Sequence, residues 1–195
     1  DGLLKDIIIV DGGSTDGTPE KLAEEFMVIS SEKGRANQMN KGAEVAKGKW
    51  LMFLHADTEL TSGHIATAIS EAALFKWGRF DVKLSGNKFA FRIIEWFINK
   101  RSRLTSVATG DQCLFIRKKV FDEVGGFDGI PLMEDVAMSK KLKRLGKPAC
   151  IDKSVTTSSR RWEQKGTVST VLLMWKLRFY YWCGVTPERL AQMYR

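Results

Sequence analysis

The chain has 195 residues, 44% of them hydrophobic, and 31 Lys and Arg against 23 Asp and Glu give a formal net charge of +8. That length supports one sizeable core and the apolar fraction excludes a disordered chain, while the charge points to anionic partners (phosphates, nucleic acid or a lipid surface) without choosing among them. Cys113, Cys150 and Cys183 are widely spaced and odd in number, which argues against a disulfide framework and for a reducing compartment, and His55 and His64 alone leave no Cys/His zinc set.

No amino-terminal signal peptide is visible. The first apolar run, Asp6 to Val10, is a β-branched strand of the kind covered on both faces, and it lies so near residue 1 that the chain reads as starting inside a fold. It stops at the polar, glycine-rich turn Asp11 to Gly17. Thr18 is then the expected N-cap of a helix with Pro19 in its first turn. Met27 to Ser30 reads as a short strand, Ala36 to Ala46 as a helix and Trp50 to Leu54 as a third strand. Strands alternating with helices predict a parallel, βαβ-type sheet.

The apolar run Leu51 to Leu54 ends in His55-Ala56-Asp57. An acid just beyond a buried strand is where an open α/β sheet presents chemistry. Read alone, Asp57 is either a ligand for a divalent cation or a cap for the next helix. Ser62 is expected to cap that helix, which runs to Phe75; the segment Gly78 to Asn87 reads as an irregular extended excursion carrying Arg79 and Asp81. Phe89 to Ile98 has helical periodicity and leads into the basic run Asn99 to Arg103, expected as a solvated face.

The turn Thr109-Gly110-Asp111-Gln112 precedes a strand at Cys113 to Ile116, and Lys118 to Val124 reads as a short helix. Pro131-Leu132-Met133-Glu134-Asp135 opens a helix that ends at Gly146, and Ala149 to Ile151 reads as a last short strand. Thr167 to Cys183 is apolar and aromatic; its apolar part, Val171 to Val185, carries Lys176 and Arg178 and falls short of the ~20 residues a membrane span needs. Core packing and a helix lying in a membrane interface both fit it. The expectation is a soluble or peripheral protein.

Val10-Asp11-Gly12-Gly13-Ser14-Thr15-Asp16-Gly17-Thr18, then Asn40-Lys41-Gly42 with Ala46-Lys47-Gly48, then His55-Ala56-Asp57, Gly110-Asp111-Gln112 and Glu134-Asp135 together resemble a family 2 glycosyltransferase in order and spacing. More narrowly, Trp77 to Val82, Arg101 to Thr105, Pro131 to Asp135 and Ser159 to Glu163 resemble a bacterial subgroup known as radical-SAM/selenodomain-associated or arsenosugar-biosynthesis glycosyltransferases. The resemblance implies an α/β fold of the GT-A type, a Rossmann-like, mostly parallel sheet flanked by helices. It implies a single domain with a nucleotide-binding half at about 1–60, an acceptor half at about 78–165 and C-terminal helices at about 167–195. The implied activity is inverting, divalent-metal-dependent transfer of a sugar from a nucleoside-diphosphate sugar, of UDP type, to a hydroxyl acceptor, with Mg²⁺ or Mn²⁺ as cofactor. The implied site is cytoplasmic or peripheral at the inner face of the membrane, with no nucleic-acid partner.

The same resemblance places residues in roles. Asp57 corresponds to the metal-binding acid of the DxD-like motif, with His55 where the motif's first acid stands. Asp11, Gly12 and Gly13 form the nucleotide-binding turn, where many relatives carry two consecutive acids; Arg35 contacts base or phosphate. Asp135 matches the general base. Gly110, Asp111, Gln112 and Glu134 belong to the acceptor or donor-sugar pocket, as do Arg161 and Trp162, similar to the Arg-Trp of processive relatives. Relatives also carry a strand-and-helix unit ahead of the segment that opens this sequence, which implies weak or no activity for residues 1–195 alone. Two other readings stay open: a nucleotidyltransferase making nucleotide sugars, and a basic membrane-surface binding module built on residues 99–103 and 167–183.

Overall fold

The computed structural model of the chain describes residues 7–194. Asp6, the expected start of the first strand, and Arg195, the expected end of the last helix, lie outside the described residues. The first half contains β1 (Ile8–Asp11), α1 (Thr18–Leu22), β2 (Met27–Ser30), α2 (Arg35–Val45), β3 (Trp50–Phe53), β4 (Thr58–Glu59) and α3 (Ser62–Glu71). The second half contains β5 (Trp77–Leu84), α4 (Phe89–Thr105), β6 (Leu114–Arg117), α5 (Lys118–Glu123), α6 (Glu134–Lys143), β7 (Ala149–Thr157), α7 (Arg160–Gln164), α8 (Thr167–Trp182) and α9 (Pro187–Tyr194).

β1 and β2 pair in parallel, as their βαβ spacing predicts. The larger sheet has the order β3-β6-β5-β7-β4 and is mixed. β5 and β7 pair in parallel, whereas β6 runs antiparallel to both its neighbours, β3 and β5, and β4 runs antiparallel to β7. The α/β class therefore holds, with reversed strands inserted where the sequence alone predicts parallel neighbours. Both faces of the sheet are covered, and the alternation along β6 divides the core: Leu114 and Ile116 join Ala36 and Ala43 of α2, Phe121 of α5 and Met138 and Leu142 of α6 on one face. Cys113 and Phe115 join Ala68 of α3, Phe80 and Ile151 on the other. α2 also holds the β1–β2 pair, since its Gln38 side-chain amide donates to the Val10 carbonyl at 2.9 Å.

Local chemistry explains most departures from the expected elements. Gly17, at φ 78°, is the N-cap of α1 in place of Thr18, and Thr61 takes the place of Ser62 before α3. There the Thr61 amide donates to His64 Nδ1 at 3.2 Å and the other ring nitrogen meets the Ser154 carbonyl at 2.8 Å, so His64 is a helix cap tied to β7.

The segment expected as an irregular excursion is instead β5, buried along almost all its length in the middle of the sheet. A carboxylate and a guanidinium in a central strand break the apolar pattern, and they are tolerated because they neutralise each other. Arg79, fully buried, pairs with Asp81, and Asp81 also accepts from Arg103 at 2.6 Å. The register of β5 against β7 shifts between Phe80 and Asp81, where this pair sits. The basic run 99–103 is the second half of α4, which extends to Thr105, and it is solvated only in part: Lys100 and Arg103 are exposed, Ser102 is buried. Asn99 clamps the Val82 backbone, accepting from its amide at 2.9 Å and donating to its carbonyl at 3.0 Å.

Replacing Asp81 by Ala strands the Arg79 charge inside the protein and is expected to cost about 3–5 kcal/mol. Urea unfolding measures it; a midpoint equal to that of the unaltered chain would show that Arg79 does not depend on Asp81.

Candidate active site

The reversed direction of β6 brings the candidate residues together. Phe53, the last residue of β3, pairs with Leu114, the first of β6, so the chain leaving β3 and the chain entering β6 meet at one edge of the sheet. The first carries His55 and Asp57 and the second carries Gly110 and Asp111. The His55 ring lies directly on Gly110: a methyl group there would sit 2.2 Å from His55 Cε1, so only glycine admits the imidazole. His55 Nδ1 is 3.8 Å from Asp111 Oδ1, within reach of ion pairing when the ring is protonated.

The third part of the cleft is the start of α6. Met133 precedes it at φ 70°, a left-handed conformation that costs a non-glycine residue about 1–3 kcal/mol and is concentrated at functional sites. The helix then presents Glu134 and Asp135 together. Asp135 Oδ2 accepts the Gly110 amide at 3.0 Å and Oδ1 accepts the Val136 amide at 2.7 Å. These two bonds fix the carboxylate and leave lone pairs on both oxygens for a further proton or donor. Glu134, with 2% of its side chain exposed, pairs through Oε1 with Arg35 Nε at 2.9 Å, and Arg35 begins α2. His55, Thr109, Gly110, Glu134 and Asp135 line one pocket, floored by Phe53 and Phe127.

This concentration of acids has an electrostatic cost. Burial, then the neighbouring Asp135 charge, pushes the Glu134 carboxyl above the usual range, and Arg35 opposes the rise. Asp111 is pushed up in the same direction, first by loss of solvent around it and then by Asp135 and Asp57, against the pull of His55 and Arg35. Its side chain keeps 47% of its surface open, so water tempers that rise.

Other expected residues lie elsewhere or face elsewhere. The Asp11 carboxylate is taken up by its own turn, accepting the Gly13 amide at 2.8 Å, the Ser14 amide at 2.9 Å and the Ser14 hydroxyl at 2.5 Å, and these bonds hold it below the usual carboxylate range. Gly12 lies against Gln38. Asp57 is exposed, and its carboxylate has no hydrogen-bond or ion-pair partner among the described residues. Gln112, expected in the sugar pocket, is fully buried and faces inward: its Oε1 accepts the Thr109 amide at 3.2 Å, and the two form a capping box. Arg161 stacks its guanidinium 3.8 Å above the Tyr194 ring, and Trp162 packs against Leu84, Phe91 and Ile94, so neither joins the cluster at Asp135.

Two residues that do join its electrostatic field were not singled out from the sequence. Arg101 of α4 and Arg178 of α8 both feel the Asp135 and Asp111 charges. Arg178 had a readable signal, a lone guanidinium among apolar residues of a helix; Arg101 was hidden in a run that looked solvated.

The family model for "Glycosyl transferase family 2" matches residues 1–125. The "PGL/p-HBAD biosynthesis glycosyltransferase" proteins of Mycobacterium tuberculosis and Mycobacterium bovis are 35% identical over 78 residues, 34% of this chain and 30% of theirs. Among solved structures, the mannosyltransferase PcManGT from Pyrobaculum calidifontis, in complex with GDP-Man and Mn²⁺, aligns with a TM-score of 0.56 at 19% identity, covering 77% of this chain and 47% of that one. S. aureus TarS 1-349 in complex with UDP-GlcNAc aligns with a TM-score of 0.59 at 16% identity, covering 78% and 49%. The chain thus spans about half the length of these structures. Their likeness shows the fold, which is of the GT-A type. Matched by the family model over the first 125 of its 195 residues, the chain belongs to glycosyl transferase family 2.

Proposed function

We propose that the protein transfers a sugar from a nucleoside-diphosphate sugar to a hydroxyl acceptor with inversion, using Asp135 as the general base. The observation that carries this reading is the meeting of three separate chain segments at Asp135: its bond to the Gly110 amide, the His55 ring on Gly110, and the Arg35–Glu134 pair beside it. In the reaction the acceptor oxygen forms a bond to the anomeric carbon while the bond from that carbon to the diphosphate breaks. The electron pair leaves with the nucleoside diphosphate and the acceptor proton goes to Asp135. A carboxylate held by two backbone amides presents its remaining lone pairs in a fixed direction, which such a transfer requires.

The turn at Asp11, Gly12 and Gly13 with Arg35 belongs to the nucleotide side, and Gly110, Asp111 and Glu134 to the sugar and acceptor side. Neighbouring folds bound to GDP-Man and to UDP-GlcNAc support a nucleotide-sugar donor, here taken to be of UDP type. Asp57, an exposed hard-oxygen donor without a partner among the described residues, would hold a Mg²⁺ or Mn²⁺ ion together with phosphates and water; no group of three or more His, Cys, Asp or Glu among the described residues could hold a metal by itself. Bound there, the ion supplies positive charge to the departing diphosphate. The segments Trp77 to Val82 and Ser159 to Glu163 favour the arsenosugar-biosynthesis type subgroup. The division into a nucleotide half at about 1–60, an acceptor half at about 78–165 and C-terminal helices from about 167 follows from this assignment of roles.

No helix among the described residues is long and apolar enough to cross a membrane. α8 nevertheless exposes Val168, Leu172, Trp175, Phe179 and Trp182, at spacings of four and three that put them on one side of the helix. A cytoplasmic enzyme resting this face on the inner surface of a membrane is the reading it supports.

Asp135→Asn is expected to keep donor binding, followed by titration calorimetry with the nucleoside diphosphate and Mn²⁺, while reducing turnover at least a hundredfold. Near-normal turnover would remove Asp135 from the role. Asp57→Asn is expected to abolish the metal dependence of nucleotide binding in the same calorimetry, and binding that still depends on Mn²⁺ would remove Asp57 from the metal site. Gly110→Ala forces His55 off its seat and is expected to lower kcat/KM at least tenfold with little change in secondary structure by circular dichroism; unchanged kinetics would make the His55 contact dispensable. Replacing Trp175 and Trp182 by Ser is expected to cut co-sedimentation with anionic vesicles several-fold, and equal sedimentation would dismiss the membrane face.

A further inference from the structure

Four of the described arginines meet a carboxylate. Arg35 pairs with Glu134, Arg79 and Arg103 with Asp81, and Arg92 with Glu95 at 2.8 Å. Arg101 and Arg178 do not. Arg101 leans one nitrogen towards the Val107 carbonyl at 3.4 Å, while its Nε and its second terminal nitrogen are buried with no hydrogen-bond partner. Arg178 makes no hydrogen bond or ion pair among the described residues. Burial lowers the Arg101 pKa to about 10, with the like charge of Arg178 next in effect, and burial depresses Arg178 as well.

Packing puts the two guanidiniums beside the base. Leu177, next to Arg178, is fully buried in one cluster with Met133 and Val136, which bracket Glu134 and Asp135, and Val107 packs against that same cluster. The Asp135 and Asp111 charges act on both arginines. Two cations close enough to repel each other, one of them with two buried donors left without partners, destabilise a protein unless something anionic completes them. A planar guanidinium with free donors matches phosphate or carboxylate oxygens in geometry as well as charge.

We propose that Arg101 and Arg178 form an anion subsite on the acceptor side of Asp135, so that the acceptor is an anionic molecule whose phosphate or carboxylate sits on these two guanidiniums while its hydroxyl faces the base. The proposal rests on the reading of Asp135 as the base. It adds a substrate class: a hydroxyl compound bearing a phosphate group, either free in solution or as a lipid headgroup. The two cations stand between that negative charge and the acids of the cleft, which would otherwise repel it.

The test fills the donor side of the full chain with UDP or GDP and Mn²⁺, then titrates glycerol 1-phosphate, with glycerol as the neutral control, and follows thermal unfolding. The phosphate is expected to raise Tm in a dose-dependent way and glycerol to leave it unchanged. Arg101→Met and Arg178→Met are each expected to weaken that response at least tenfold, and to leave the ligand-free Tm equal or higher, because each removes a buried charge that has no carboxylate. A parallel arm compares sedimentation with phosphatidylcholine vesicles and with the same vesicles containing phosphatidic acid. A preference for phosphatidic acid that the Met variants lose assigns a lipid headgroup, and a phosphate response without that preference assigns a soluble phosphate.

Three results overturn the proposal: a phosphate response abolished by the nucleoside diphosphate, which would put the donor's own diphosphate on these arginines; no phosphate response at all; or an undiminished response in both variants with a lowered ligand-free Tm, which would make the arginines counter-ions of the fold. Failure of the nucleoside diphosphates to bind counts against the sugar-transfer reading instead, and the phosphate response of the free chain and its variants still decides the subsite.

Discussion

The bond from the Gly110 amide to the Asp135 carboxylate is the constraint on which the cleft depends. It joins the chain entering β6 to the first turn of α6, and further along the helix Ser139 secures the same approach, its hydroxyl accepting the Ala108 amide at 3.0 Å and donating to the Ala108 carbonyl at 3.3 Å. One side of it is reinforced by the imidazole resting on Gly110, the other by Arg35 reaching across from α2 to Glu134. Asp111, Glu134 and Asp135 are thereby held together, and the Asp135 charge makes the other two harder to ionise. Arg35 opposes that rise in both acids, pairing directly with Glu134, and His55 opposes it at Asp111.

Strand direction sets up this meeting. In an all-parallel sheet the residues that end one strand and those that begin another lie on opposite edges, and Asp111, just before β6, would stand a strand's length from His55, just after β3. Reversing β6 between β3 and β5 puts both on one edge, which the pairing of Phe53 with Leu114 records. The strained Met133 fits the same logic. Its left-handed backbone turns the chain sharply into α6, so that Glu134 and Asp135 both point from the first helical turn into the space beside Gly110. The local cost is offset by the apolar packing of Met133 with Leu132, Val136 and Leu177.

What the sequence revealed was what local patterning encodes. The apolar run before His55, the turn at Asp11 and the acids opening α6 were each readable from residue type and spacing. Strand direction was not, because β6 has the same apolar alternation whichever way it runs. β5 was missed because Arg79 and Asp81 break its alternation, and only their mutual neutralisation across space explains their burial. Gln112 was expected in the pocket because its turn is polar; the backbone of that turn is satisfied from within, by Gln112 capping Thr109, which aims the amide into the core and leaves Asp111 facing the cleft. Asp57 is exposed, with no hydrogen-bond or ion-pair partner among the described residues, which residue type and spacing do not encode.

The two unpaired guanidiniums sit at corresponding places on their helices. With a turn of 3.6 residues, Arg178 lies roughly 80° around α8 from the middle of the exposed stripe of Val168, Leu172, Trp175, Phe179 and Trp182, and Arg101 lies about as far around α4 from its own exposed set of Phe89, Ile93, Trp96, Phe97 and Leu104. Each charge therefore stands on the border between an apolar face open to the outside and a face buried against the domain. α4 and α8 contribute to one apolar cluster, through Phe91, Ile94 and Ile98 on the first and Val171 on the second. A molecule with an apolar body and an anionic head would find both of its halves met by the same pair of helices, with the head next to Asp135. A small soluble phosphate would use only the inner half of that surface, and would leave the outer stripes without a role in the reaction. The shared border position is thus what ties the chemistry of the cleft to the apolar faces outside it.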